Sequence, residues 1–364
     1  MSRQQRAYKS FWSIPDAPLS LGCVGCPNLT ECGGQTIAGS GFNCLDHCCG
    51  QPRTCQIVCP NAITFADRIR EVDGLDLVTP HAVPIAPPSS PQYIPMLFHG
   101  SARVGVLSAA AVAAPLYRFF DKDAGCRFAS REEVECAFKI DSATSLFLSG
   151  VAQDHEVERW WKLETQGRVK AIANLRRLGV AMVTTPNFSV TVDRPRWDDL
   201  HSMRRIAEVF HELVSEGQAA ALHINGRTRR DFARWAEYVS IHPEVTHIAY
   251  EFTTGAKSPD RMRQHAQWLI EFAEASGRRL GLIVRGGLPV VLPLSRHFDI
   301  SFIDSSPFEK AHHREIAMID ADGRRRWVKR MTPEGMPIDT LLHDNIVSSE
   351  RWFADLMPKL ALAA

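Results

Sequence analysis

The sequence predicts an α/β chain built as a complete or incomplete (β/α)8, TIM-like barrel behind a small cysteine-rich N-terminal segment. Two observations carry this. Short apolar, β-rich runs alternate with amphipathic stretches over most of the 364 residues, and eight of the ten cysteines fall between Cys23 and Cys59. Strand, helix, strand, helix over such a length implies parallel strands joined by right-handed crossovers. An open doubly wound sheet is the alternative. It lacks its usual mark, since no G-x-G-x-x-G stands at the first strand–helix turn.

From the N-terminus, the cysteines run Cys23-x2-Cys26-x5-Cys32, then Cys44-x3-Cys48-Cys49-x5-Cys55-x3-Cys59-Pro60. Glycine and proline punctuate the stretch, which therefore reads as loops with too little apolar surface to hold itself together. Thiolate coordination supplies what the core lacks. An iron–sulfur cluster is favoured over structural zinc, because only Cys23 and Cys26 have the tight pairing of a zinc ribbon. Disulfides would need an oxidising compartment, and no apolar signal segment follows the basic start before Pro15. The chain is accordingly expected in the cytoplasm. No apolar run approaches the ~18 residues of a membrane span. Cys126 and Cys136 stand apart and read as small core side chains.

Residues 1–79 thus form the expected metal module. Pro80, Pro84, Pro87, Pro88, Pro91 and Pro95 make 80–96 an extended connector rather than a helix or a central strand. The barrel is expected over 97–364. Its strand candidates are Arg103–Leu107, Ala137–Ile140, Val180–Thr184, Ala220–Ile224, Thr246–Phe252, Leu280–Val284 and Asp299–Ile303. The alanines of Val104–Leu116 suit a buried helix. Helices are expected over His155–Leu178, Trp197–Glu216, Arg229–Ser240 and Asp260–Ser276, the last stopped by Gly277.

Barrels place chemistry where strands end, because the loops converge there on one face. By that rule Asp141, Asn187, His223, Asn225, Glu251, Arg285 and Asp304 share a pocket. Each has a bland reading: an aspartate after a strand is often a helix cap, and a lone histidine is often core. Glu251, flanked by Tyr250 and Phe252, needs a partner if buried. Together they suit carboxylate-driven chemistry, with Asp304, Asp141 and Glu251 as catalytic candidates. Phe188, Tyr250 and Phe252 are candidates for stacking on a planar ring. The chain has neither a P-loop nor H-E-x-x-H nor G-x-S-x-G.

A net charge of +1 excludes a bulk polyanion binder. Basic clusters at Arg227, Arg229 and Arg230, at Arg278 and Arg279, and at Arg324–Arg326 with Lys329 and Arg330 are candidates for a phosphate-contacting rim. Trp327, inside the last cluster, is a candidate base-stacking residue.

The segment Phe138-Lys139-Ile140-Asp141-Ser142 resembles the early Asp-Ser-Gly-Gly-Phe motif of tRNA-guanine transglycosylases and their DNA-acting relatives. Phe302-Ile303-Asp304-Ser305-Ser306-Pro307, with Lys310 and Arg314, is similar to their late Asp-x-x-x-Pro-Thr-Arg segment, and Arg285-Gly286-Gly287 to their glycine-rich substrate loop. The resemblance implies a barrel that cleaves or exchanges an N-glycosidic bond of a base in DNA or RNA, with Asp304 as nucleophile and Asp141 as its partner. It also implies that Lys310 and Arg314 contact substrate. Departures are Ala143-Thr144 where the family has Gly-Gly, Pro307 one residue closer to Asp304 than in the family, and a metal segment before rather than after the barrel. The other readings are an iron–sulfur redox enzyme and a non-enzymatic, metal-stabilised nucleic-acid-binding protein. Against radical chemistry, Cys44-x3-Cys48 is followed by Gln51 where a third thiolate would stand.

Overall fold

The computed structural model describes residue 68 and residues 71–121, 125–190 and 196–357. Cys23 to Cys59 lie outside the described residues, and with them the expected metal ligands.

Eight parallel strands make the sheet: β1 (Tyr93–Pro95), β2 (Ala111–Pro115), β3 (Ser145–Ser149), β4 (Val180–Thr184), β5 (Ala220–His223), β6 (His247–Glu251), β7 (Leu280–Arg285) and β8 (Phe298–Asp304). Their order is β1-β8-β7-β6-β5-β4-β3-β2. The end strands meet through a single parallel bridge, Met96 with Ala113, backed by Leu97 N–H donating to the Ala113 carbonyl at 2.8 Å. The result is a nearly closed, TIM-like (β/α)8 barrel.

The helices between the strands are α1 (Arg131–Phe138), α2 (Asp154–Trp161), α3 (Glu164–Arg177), α4 (Arg196–Ser215), α5 (Arg229–Ile241), α6 (Pro259–Ser276) and α7 (Leu288–Ser295). After β8 come α8 (Ser306–His312), an antiparallel hairpin of β9 (Glu315–Ile319) and β10 (Arg325–Lys329), and α9 (Asp339–Leu356).

Period-two alternation divides the core in two. Inside the barrel lie Ile94, Met96, Phe147, Met182, Ile283 and Ile303, with alanines 111, 113, 221 and 249 between the large side chains. The opposite faces of the same strands pack against the helices in a much larger cluster that includes Tyr93, Leu148, Val183, Leu222, Tyr250, Val284 and Phe302.

Four sequence expectations are corrected. Neither Arg103–Leu107 nor Ala137–Ile140 is a strand: Phe138 ends α1, and within these runs only Leu107 and Ile140 bridge, to each other. Ser130 caps that helix, its hydroxyl accepting from Glu133 N–H, and Val134 and Phe138 form its buried face. The alanine run of Val104–Leu116 holds strand β2 rather than a helix, because small side chains are what the filled barrel interior admits there. Finally, Tyr93–Pro95 is a barrel strand inside the proline-rich stretch. Successive N–H groups of a strand alternate sides: Met96 donates to Asp304 on β8 and Leu97 to Ala113 on β2. The nitrogen of Pro95 therefore faces the thinly bonded β1–β2 seam, where a missing donor costs little.

Just before the prolines, the chain is docked on the barrel. Val72 and Leu75 are buried, Arg204 of α4 donates to the Val72 carbonyl and Arg234 of α5 to that of Leu75. Among the described residues no helix is long and apolar enough to cross a membrane.

Candidate functional site

Strand parity decides which side chains reach the barrel mouth. In β5 Ala221 points inward, so His223 does too; in β6 Ala249 brings Glu251 with it; in β7 Ile283 brings Arg285. Glu251 and Arg285 are register partners, with Arg285 Nη1 3.8 Å from Glu251 Oε2. A cavity of about 170 Å3 opens there, lined by Asn187, His223, Asn225, Tyr250 and Glu251 among others. Binding pockets for drug-sized ligands start near ~300 Å3, so this one admits a single ring-sized group.

Glu251 is almost wholly enclosed. Its Oε1 accepts from Thr253 N–H at 2.8 Å and from the Thr253 hydroxyl, while Oε2 is buried with no hydrogen-bond partner. Burial raises its pKa, against the opposing pull of Arg285 and Thr253. His223 is buried too, its Nδ1 unbonded, and desolvation lowers its pKa to about 3, which makes it a neutral imidazole. Its backbone N–H donates to the Thr185 hydroxyl at 2.8 Å.

Asn225 Nδ2 donates to Asn187 Oδ1 at 2.8 Å and to the Phe188 carbonyl at 3.1 Å. That leaves the Asn187 amino group and Asn225 Oδ1 as a donor–acceptor pair for a ligand. The turn after β7 packs tightly against Phe252 and Thr253. Gly286 and Gly287 have φ of +71° and +70°, and a Cβ on Gly287 would lie 2.4 Å from the Phe252 ring. Only glycine fits there.

Several expected site residues lie elsewhere. Asp141 precedes β3, at the opposite end of the barrel from Glu251, and its Oδ1 accepts from Ala143 N–H in a local turn. Asp304 is at the right end of β8 but on the outer face, because Ile303 takes the inward position. Its Oδ2 accepts from Tyr93 Oη at 2.9 Å and from Arg325 Nη1 at 2.5 Å, and its Oδ1 from Ser306 N–H. Asp141, Glu251 and Asp304 therefore do not share a pocket.

Phe188 is fully buried beneath the Arg205 guanidinium, 4.0 Å from its ring, and has no face to offer a ligand. The Tyr250 hydroxyl bonds His265 Nδ1. Arg227 is buried against Asp199 at 3.1 Å. Lys310 pairs with Glu315, and Arg314 donates to the Met336 carbonyl. No residue of the basic clusters lines the cavity either. Arg278 and Arg279 precede β7, at the opposite end of the barrel, and Arg279 pairs with Asp299. Arg325 sits against Trp327 and Trp352, at 4.9 and 4.5 Å. Arg326 pairs with Asp320 and Lys329 with Glu315.

Thr253, Arg261 and His265 belong to the mouth but were not expected there. Thr253 anchors the Glu251 carboxylate, and Arg261 and His265 come from α6, where no motif or spacing marks them. His265, like His223, is held neutral by burial, with a pKa lowered to about 3.

Compared with known proteins, the chain matches no family model and no curated protein. What defines it is the architecture itself: a TIM-like barrel with one buried carboxylate, Glu251, two neutral imidazoles, His223 and His265, and two guanidinium groups, Arg261 and Arg285, at its mouth.

Proposed function

We propose that the barrel mouth is an active site in which Glu251 works as acid and base on a ring-sized polar group. The reaction we favour is cleavage or exchange of an N-glycosidic bond of a base in DNA or RNA. The observation that carries this is the pair of buried, unbonded polar atoms, His223 Nδ1 and Glu251 Oε2, on two residues that line one small cavity. Each unsatisfied group costs about 1–3 kcal/mol, so a fold that keeps both fits one whose ligand completes them.

The chemistry follows from the raised pKa. Protonated Glu251 donates its proton to a ring nitrogen as the C1′–N bond breaks and the bonding electrons leave with the base. The resulting carboxylate then stabilises the oxocarbenium-like sugar. Water adds to C1′ and returns a proton to Glu251. Arg285 limits how far the pKa rises, so that both protonation states are reachable. Neutral His223 and the Asn187–Asn225 pair hydrogen-bond the base edge. This makes Glu251, as proton donor and cation stabiliser, the central carboxylate in place of Asp304, to which the transglycosylase resemblance gives the role of nucleophile.

The cysteine-rich segment belongs to the same proposal as an iron–sulfur or zinc module, in a cytoplasmic protein whose thiolates stay reduced. The test is incubation of the full chain with modified and unmodified DNA, RNA and nucleosides, followed by chromatography for free base and labelling of abasic sites. Release of a base from any of them supports the reading. Tight binding of these substrates with no release from any of them rejects it.

A further inference from the structure

At the other end of the barrel, a second cluster has the composition of a metal site. His242 and Glu244 stand in the loop between α5 and β6, and His81 comes from the proline-rich stretch before β1. One ligand atom from each lies within 4.8 Å of the others. From these residues the geometry points to a divalent-cation site of zinc type, two imidazoles and a carboxylate, that staples the segment leading out of the cysteine region to the barrel.

Three observations carry it. First, Glu244 Oε2 is buried with no hydrogen-bond partner, on a side chain 2% exposed, and faces His81 Nδ1 across 3.9 Å. That gap is too long for a hydrogen bond and suited to an ion between the two atoms. Second, the loop is rigid. Tyr238 stacks on the His242 ring at 4.0 Å, and Arg278 donates to the carbonyls of Val239, His242 and Pro243. Glu244 Oε1 is positioned by Ala82 N–H at 3.1 Å and His242 Nδ1 at 2.8 Å. Third, the remaining ligand is the adjustable one: the His81 side chain is 66% exposed and can rotate inward.

Tetrahedral zinc with bonds of about 2.0–2.1 Å sets its ligands about 3.3 Å apart. The ligand atoms lie within 4.8 Å of one another, and the exposed His81 side chain is the one placed to close that gap. His242 would bind through Nδ1, giving up its hydrogen bond to Glu244 Oε1 as its proton moves to Nε2. The fourth position faces solvent beside His81. Ligands from one rigid loop and from a segment 161 residues away in sequence would clamp the two together, a stabilising role suited to the N-terminal end of a barrel. This inference stands independently of the chemistry at the mouth.

The experiment compares full-length protein with a His81→Ala variant, chosen because an exposed histidine can be removed without disturbing the fold. Both are loaded with zinc, gel-filtered, and analysed for zinc per chain and for the rise in melting temperature on adding zinc. The expected result is one zinc fewer in the variant, loss of the zinc-dependent thermal shift, and affinity weakened by more than the ~10-fold that follows loss of an outer-shell partner. Metal held by the cysteines is present in both and cancels. Equal zinc content and equal thermal shifts in the two proteins would overturn the assignment, as would a wild type with no zinc beyond that retained by a Glu244→Gln variant.

Discussion

Replacing His223 with glutamine should make the protein markedly less sensitive to mild acid. In the folded state the pKa of His223 is lowered from 6.5 to about 3, because its imidazole is fully desolvated at the barrel mouth. A depressed pKa contributes stability that is present above the unfolded value and lost as pH falls toward the folded one. Below pH 6.5 the unfolded chain takes up a proton at this residue and the folded chain does not. Each pH unit therefore removes about 1.4 kcal/mol, or about 2 kcal/mol between neutrality and pH ~5. His265 titrates in the same direction, and Glu251, whose pKa is raised, in the opposite one: its contribution is lost as pH rises through its folded pKa. Both are present in wild type and variant, so the difference between the two isolates His223. Urea unfolding followed by tryptophan fluorescence at the two pH values measures it. The variant should lose about 2 kcal/mol less than wild type on acidification. Equal losses would mean that His223 is solvated or charged, and the neutral imidazole would have to be abandoned.

Three further outcomes are expected. Arg325→Met should destabilise the fold by about 3 kcal/mol in thermal melts, because the buried Asp304 would lose its cation and keep only Tyr93 and Ser306 as partners. Gly287→Ala should cost about 2–4 kcal/mol, since φ of +70° and a Cβ 2.4 Å from the Phe252 ring impose both backbone strain and overpacking. Protein purified without oxygen should absorb near ~400 nm and bleach when its cysteine-bound iron is chelated; a colourless protein carrying only zinc would assign the segment to zinc instead.

The second half of the barrel was legible in the sequence, and the reason is physical. Strands β4 to β8 are apolar runs followed by polar residues, and the helices between them carry clear stops such as Gly277, left-handed at φ +69°. Strands β1 to β3 lack those marks. One is three residues long between prolines, one is an alanine run, and one is a five-residue Ser-Leu-Phe-Leu-Ser stretch. A short buried strand has no periodicity that separates it from a piece of helix. Taking α1 for a strand is what placed Asp141 at the wrong end of the barrel, although Ser130 and Glu133 already spelled a helix start.

The site divides along the same line. His223, Glu251 and Arg285 follow from the strand-end rule because each shares parity with an inward alanine or isoleucine two residues earlier. Asp304 satisfies the rule by position and fails it by parity: Ile303 faces in, so the next residue faces out. Counting alternation from the barrel interior would have separated the two. Thr253, Arg261 and His265 reach the mouth through a loop and a helix, and only the folded chain brings them there.

The most direct test sets Glu251→Gln against Asp304→Asn in single-turnover assays of base release. If Glu251 is the acid and base, its glutamine variant should fold normally and lose activity by about 100-fold or more, the usual contribution of a positioned proton donor. Asp304→Asn should lose stability and retain its rate per folded molecule. The reverse pattern, with Glu251→Gln active and Asp304→Asn inert though folded, would contradict the account.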